Sequence, residues 1–167
     1  VVICCFFEPQ QDVSPVIKKC WEKMELIQQQ MNAYSETGDL AQINKFGYNG
    51  VAVHDETYRI LKASLEFSRL SQGAFDVTVF PLVKLWKDAA VNGRLPEKEA
   101  LESAKAKVGY QKIRLQEPNL VFLGQEGMKL GLGAIVSGFA CDEIAAILDA
   151  GGIKHYMIDT GGEIFCR

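Results

Sequence analysis

Two stretches of the chain carry residue types that do chemistry. The first, LGLGAIVSGFACD at 130–142, sets Gly131, Gly133 and Gly138 ahead of an apolar segment able to continue as a helix. Glycines let the backbone turn tightly and approach a ligand, and amides at a helix start suit an anion such as a phosphate. Neither familiar nucleotide loop fits. A GxxxxGK[ST] loop needs Lys and Ser/Thr after its last glycine, where this chain has Phe139, and the spacing GxGxxxxG is not GxGxxG. The loop's polar side chain is Ser137, which carries no charge. The second stretch, LSQGAFDVTVFPLVKLW at 70–86, places Asp76 among apolar residues with Thr78 two positions on. A carboxylate in such company needs partners. It either braces a turn or accepts hydrogen bonds from a ligand ribose or base held against Phe75. His54 and His155 are isolated, with no second histidine at helical spacing and no GxSxG serine, and are expected to be structural or exposed.

Composition narrows the classes. A chain of 167 residues that is 48% hydrophobic and 23% charged has ordinary globular composition and can bury one substantial core, or one core and a small lobe. A net charge of −3, with no Lys/Arg cluster, gives no reason to expect nucleic acid or an anionic membrane as partner. No apolar run reaches the roughly 18–20 residues that span a bilayer, so no transmembrane segment is expected. The five cysteines, Cys4, Cys5, Cys20, Cys141 and Cys166, show no CxxC spacing, which predicts free thiols, most of them small core residues.

The elements that must position these residues alternate along the chain. Residues 1–7 read as a buried first strand. Ser14-Pro15 offers an N-cap and a first-turn proline for a helix to about Met31 with an apolar stripe of Val16, Ile17, Cys20, Trp21, Met24, Ile27 and Met31. Asp55 can cap a second helix to about Leu70, with Gly73 closing it, and Pro96-Glu97 can start a third through Lys107. Residues 81–86 begin a further buried segment. Short strands fit 112–115, 119–123, 154–158 and 163–166, and another near 128–130 would feed the glycine loop, with a helix from about 138 to Ala150 leaving it.

These residues also carry a resemblance. GAFDVT at 73–78 is similar to the GAFDxT segment of the FAD:protein FMN transferase (ApbE) family, and LGLGAIVSGFACD resembles that family's DLGAIAKGYAVD. MNAYSETGDLAQIN at 31–44 resembles its segment S-x-Y-x-x-x-S-E-[IL]-x-x-[IL]-N, and YMIDTGGEIFCR its strand ending in GGEIRA, all in the family's order. The resemblance implies an α+β fold of the flavin-transferase type over 1–167, with helices packed on mostly antiparallel strands. It implies magnesium-dependent cleavage of FAD and transfer of FMN to a threonine of a target flavoprotein. Such chemistry needs a metal to neutralise diphosphate charge and fixed groups to orient the nucleotide. Residue by residue, the resemblance implies that Ala74, Phe75, Asp76, Gly131 and Ser137 stand at FAD-contacting positions, that Tyr34 lies near the flavin, and that the Ala134 carbonyl faces the metal. Asp142 and Glu163 match family positions and are expected to be structural. Asp76 is expected to border a cavity lined by Phe75 and the 131–138 loop.

Departures from the pattern bear on activity. Gly131 stands where the family has Asp, and Ser137 where it has Lys. Losing a lysine beside a diphosphate removes a charge-assisted contact worth about 1.5–3 kcal/mol. Family members also continue for roughly as long again beyond the GGEI segment, through a region that supplies an Asp and a Thr as metal ligands. The expectation is either the N-terminal part of a longer family member or, as Gly131 and Ser137 favour, a degenerate relative of weak or no activity, whose FAD and magnesium binding is reduced or lost. The alternative is a non-catalytic scaffold or accessory subunit of a larger protein assembly. An extracytoplasmic, membrane-associated bacterial location leads the expectations, with a cytoplasmic one second.

Overall fold

The computed structural model describes residues 1–8 and 10–167. The chain is α+β, and every strand pairing among the described residues is antiparallel. It divides into two compact units, residues 1–29 with 135–167, and residues 30–134.

In the first unit, β1 (Val2–Phe6), β5 (His155–Asp159) and β6 (Ile164–Cys166) form a sheet in the order β1-β5-β6, with Ile3 opposite Ile158 and Ile158 opposite Phe165. Most of α1 (Ser14–Met31) and all of α6 (Val136–Ala150) belong to it. Its core gathers Cys20, Cys141, Ile144, Leu148, Ile153, Tyr156 and Ile158. Strand alternation puts Ile3 and Cys5 against that core and Val2, Cys4 and Phe6 on the other face, exposed. The N-terminal segment is therefore a strand, but only one of its faces is covered. Helix α1 starts at Ser14, so Ser14 is its first residue and not the expected N-cap: the Val13 carbonyl accepts the Ile17 N–H at 3.0 Å, and the Asp12 carboxylate accepts the Ser14 N–H at 3.0 Å. Trp21 departs from the expected stripe. It is 45% exposed while Cys20, one step of about 100° away, is fully buried.

In the second unit, α2 (Asp39–Phe46), β2 (Val51–Ala52), α3 (Asp55–Leu70), α4 (Phe80–Val91), α5 (Lys98–Ala106), β3 (Ile113–Gln116) and β4 (Leu120–Leu123) follow one another. The sheet order is β2-β4-β3. Leu40, Ile43, Ile60, Leu61, Val121, Met128, Leu130 and Leu132 are almost fully buried. Three expectations are corrected here. No strand forms at 128–130, because Leu130 satisfies its backbone on the Asn44 side chain rather than on a neighbouring strand. The 81–86 segment is not buried: in α4 only Phe80 is, while Val83 and Trp86 are exposed. The helix after the glycine loop begins at Val136, two residues earlier than its glycine suggests.

Candidate functional site

The GAFD segment is shaped by the end of α3. Ser64 and Ser68, both fully buried, donate to the carbonyls of Ile60 and Ser64 at 2.7 and 2.8 Å, so their hydroxyls are satisfied within the helix. The left-handed residue that ends α3 is Gln72, at φ +55° with its N–H on the Arg69 carbonyl at 3.1 Å, and not Gly73 as expected; Gly73 follows at φ +86° and donates to the Ser68 carbonyl at 2.8 Å. Ser71 then holds the next two residues. Its carbonyl accepts the Ala74 N–H at 3.1 Å and its Oγ accepts the Phe75 N–H at 3.0 Å. The Phe75 ring packs edge-on to Phe67 with centroids 6.4 Å apart.

Asp76 is engaged with its own chain. Its Oδ1 accepts from the Thr78 N–H at 2.8 Å and the Thr78 hydroxyl at 2.6 Å, and its Oδ2 accepts the Tyr110 N–H at 2.9 Å. Thr78 Oγ1 in turn accepts the Gly109 N–H at 2.7 Å. The carboxylate thus caps the short 3-10 turn at 77–79 and ties it to residues 109–110, the turn-bracing role that its sequence context allows. A carboxylate offers about four acceptor sites, which leaves one on Oδ2 for a ligand.

Gly131 joins this segment through the backbone. Its N–H donates to the Val77 carbonyl at 2.8 Å, so the start of the glycine loop lies beside GAFD. A Cβ on Gly131 would stand 2.8 Å from Cδ2 of Phe80. The Phe80 ring therefore occupies the space into which a side chain at 131 would project. Phe80 also packs edge-on to Tyr34, with centroids 5.5 Å apart and an interplanar angle of 64°. Tyr34 follows α1, its N–H donating to Asn32 Oδ1 at 2.9 Å, and it is 66% exposed. Its hydroxyl accepts from Lys87 Nζ at 2.6 Å.

The structure so brings together Ala74, Phe75, Asp76, Gly131 and, through Phe80, Tyr34. Ala134 lies in the same unit, exposed, and Ser137 lies in the first turn of α6, in the other unit. Of the two residues expected to be structural, Asp142 is exposed on α6, and Glu163 closes the 160–163 turn by accepting the Thr160 N–H on its carbonyl at 3.0 Å. Sequence reasoning missed Phe80, Lys87 and Asn44. Asn44 falls in the 31–44 segment and Phe80 in the 70–86 stretch, so both positions were visible although their partners were not. Magnesium prefers near-octahedral oxygen ligands that include carboxylates. Ala134 brings one carbonyl, and among the described residues no group of three or more His, Cys, Asp or Glu gathers as a metal site would require. The residues present do not make a magnesium site by themselves.

Antiparallel sheets with helices packed on them, and a GAFD turn joined to a glycine loop, define a flavin-transferase type of fold. The ApbE family model matches residues 3–167, and the chain belongs to the ApbE family. It is 33% identical over 154 residues to the FAD:protein FMN transferase of Treponema pallidum, a match covering 86% of this chain and 42% of that protein. Against the FAD:protein FMN transferase of Vibrio cholerae it is 31% identical over 144 residues, covering 84% and 43%. The structure of flavin transferase ApbE from Vibrio cholerae superposes with a TM-score of 0.88 at 26% identity, covering 99% of this chain and 54% of that one. The apo Pseudomonas stutzeri flavinyl transferase ApbE shares the fold with a TM-score of 0.90 at 21% identity, covering 99% and 53%. The chain thus spans less than half the length of the two curated relatives.

Proposed function

We propose that these 167 residues form a flavin-nucleotide-binding part of an FAD:protein FMN transferase relative, binding FAD weakly and transferring no FMN by themselves. The observation that carries the reading is a chain of contacts, in which the GAFD segment meets Gly131 through the Val77 carbonyl, Gly131 lies against Phe80, and Phe80 packs on the exposed Tyr34 ring. The weakness follows from two substitutions. Gly131 offers no carboxylate and Ser137 no cation, and one charge-assisted contact to a phosphate is worth roughly one to two powers of ten in binding. Turnover needs a metal to favour the transition state, and the residues present supply one carbonyl toward it. The acceptor in this reading is a threonine of a target flavoprotein, and the location extracytoplasmic and membrane-associated.

The test is titration calorimetry with FAD and magnesium alongside intact-mass spectrometry of an acceptor carrying the modification threonine. Weak binding without an adduct is expected; tight metal-dependent binding or an FMN adduct would overturn the reading. A second reading, a scaffold within a larger assembly that keeps the fold, is favoured by Asp76, whose carboxylate gives three of its acceptor sites to Thr78 and Tyr110. The intact mass of the natural protein separates the two. A product near 18.5 kDa favours the scaffold, and one near twice that mass the transferase.

A further inference from the structure

Tyr34 and Lys87 stand 53 positions apart in the sequence and meet at the edge of the site. Lys87 Nζ is 2.6 Å from the Tyr34 hydroxyl and 5.0 Å from the centre of its ring. Because the phenol oxygen stands off the ring along the same direction, these distances put the ammonium beyond the hydroxyl and not above the ring face. Phe80 meets the ring edge-on rather than stacked. Tyr34, 66% exposed, therefore keeps ring surface open to a planar partner.

The ammonium itself is not neutralised. An ammonium has three N–H donors, and Tyr34 takes one of them. Among the described residues no carboxylate lies within ion-pair distance of Lys87, in contrast to Lys18 and Lys105, which pair with Glu22 and Glu102 along their own helices. Helix α4 presents Lys87 exposed, so its charge is held at the hydroxyl end of an exposed aromatic ring, with donors to spare. An aromatic face stacks a planar heterocycle, and a lysine is a compact point charge for a phosphate. We infer that Lys87 is a ligand-contact residue of this site, holding the phosphate of a flavin nucleotide whose ring stacks on Tyr34. It supplies a cation from α4 in a chain whose glycine loop has serine at 137. This assignment rests on the flavin-nucleotide reading above.

The experiment measures binding of FMN and of riboflavin, which lacks the phosphate, by quenching of flavin fluorescence. The proteins are the 167-residue chain and its Lys87→Met, Lys87→Arg and Lys62→Met variants, with circular dichroism confirming that each folds. A phosphate contact predicts that Lys87→Met weakens FMN about tenfold and leaves riboflavin within about twofold. Lys87→Arg should hold FMN within about threefold of the parent, because the charge is kept. Lys62→Met, which removes an exposed charge on α3, should leave both ligands unchanged. If Lys87→Met weakens FMN and riboflavin alike, the lysine only orients Tyr34 and the proposal is wrong; if it changes neither, Lys87 does not touch the ligand and the proposal is equally wrong. Failure of the parent chain to bind either flavin would overturn the flavin-nucleotide reading itself, a result distinct from both.

Discussion

Asn44 grips Leu130 through both polar atoms of its amide, donating from Nδ2 to the Leu130 carbonyl at 3.0 Å and accepting the Leu130 N–H on Oδ1 at 2.6 Å. Leu130 is fully buried and immediately precedes Gly131, so this clamp fixes where the glycine loop begins. Asn44→Leu would leave a buried donor and a buried acceptor unpaired. It should cost about 2–4 kcal/mol in urea unfolding. Asn44→Asp keeps the acceptor but sets a carboxylate oxygen against the Leu130 carbonyl, and should destabilise the chain as well. A loss below about 0.5 kcal/mol for both variants would show that Leu130 is held by burial alone.

Asp76→Ala removes the acceptor for Thr78 N–H, Thr78 Oγ–H and Tyr110 N–H, with Thr78 fully buried. The expected loss is about 1–3 kcal/mol. Asp76→Asn should recover part of it, since one amide oxygen can still cap the turn. Equal losses for the two variants would mean that the charge, not the cap, is what matters.

Gly131 and Phe80 are interdependent. Adding a methyl group at 131 brings a carbon to 2.8 Å from the Phe80 ring, so Gly131→Ala should cost about 1–3 kcal/mol through overpacking. Combining it with Phe80→Ala should cost less than the sum of the two single changes, as a double-mutant cycle would read. The same contact bears on restoring affinity. Gly131→Asp with Ser137→Lys should tighten FAD binding about tenfold without conferring turnover, and should do so at least loss of stability when Phe80 is also made small.

His54 provides a pH signature. Its Nδ1 lies 3.0 Å from both oxygens of the buried Asp39 carboxylate, whose Oδ2 also accepts the His54 N–H at 2.7 Å. The hydrogen bond to Asp39, and then its charge, raise the His54 pKa above its ordinary value, with Glu56 and Asp55 adding smaller effects in the same direction. A raised folded-state value contributes stability that is full below the unfolded pKa of about 6.5 and is lost as pH rises through the folded value. Thermal melts should therefore show the chain losing stability relative to His54→Gln as pH rises from about 5.5 to about 8. A constant difference between the two proteins across that range would rule out the linkage.

All five cysteines are free, but they are not mostly buried: Cys4 and Cys166 are exposed, Cys5 is half-buried, and Cys20 and Cys141 are buried. Burial pushes the Cys20 thiol up to about 11, which keeps it out of the reactive thiolate form. Titration of the native chain with a disulfide reagent should label Cys4 and Cys166 quickly and Cys20 only on unfolding. Fast labelling of Cys20 in the folded chain would contradict this packing.

The sequence by itself determined the local elements and the family. The helix at Ser14–Met31, the one ending at Leu70 and the turn at Gln72-Gly73 are consequences of residues within a few positions of one another, and they form within a residue or so of where local chemistry places them. Four motif segments in order were enough to identify the ApbE family and with it the α+β fold. What the tertiary structure decided is which partner each polar or apolar group meets. Asp76 turns to Tyr110, Asn44 reaches Leu130 across 86 positions, and Phe80 fills the space beside Gly131. Tyr34 finds Lys87, Trp21 falls off the edge of the buried stripe, and Cys4 and Cys166 take the uncovered face of a sheet. Periodicity gives the face of an element but not what lies against it. That is settled only when distant segments compete for the same buried volume and the same hydrogen-bonding groups.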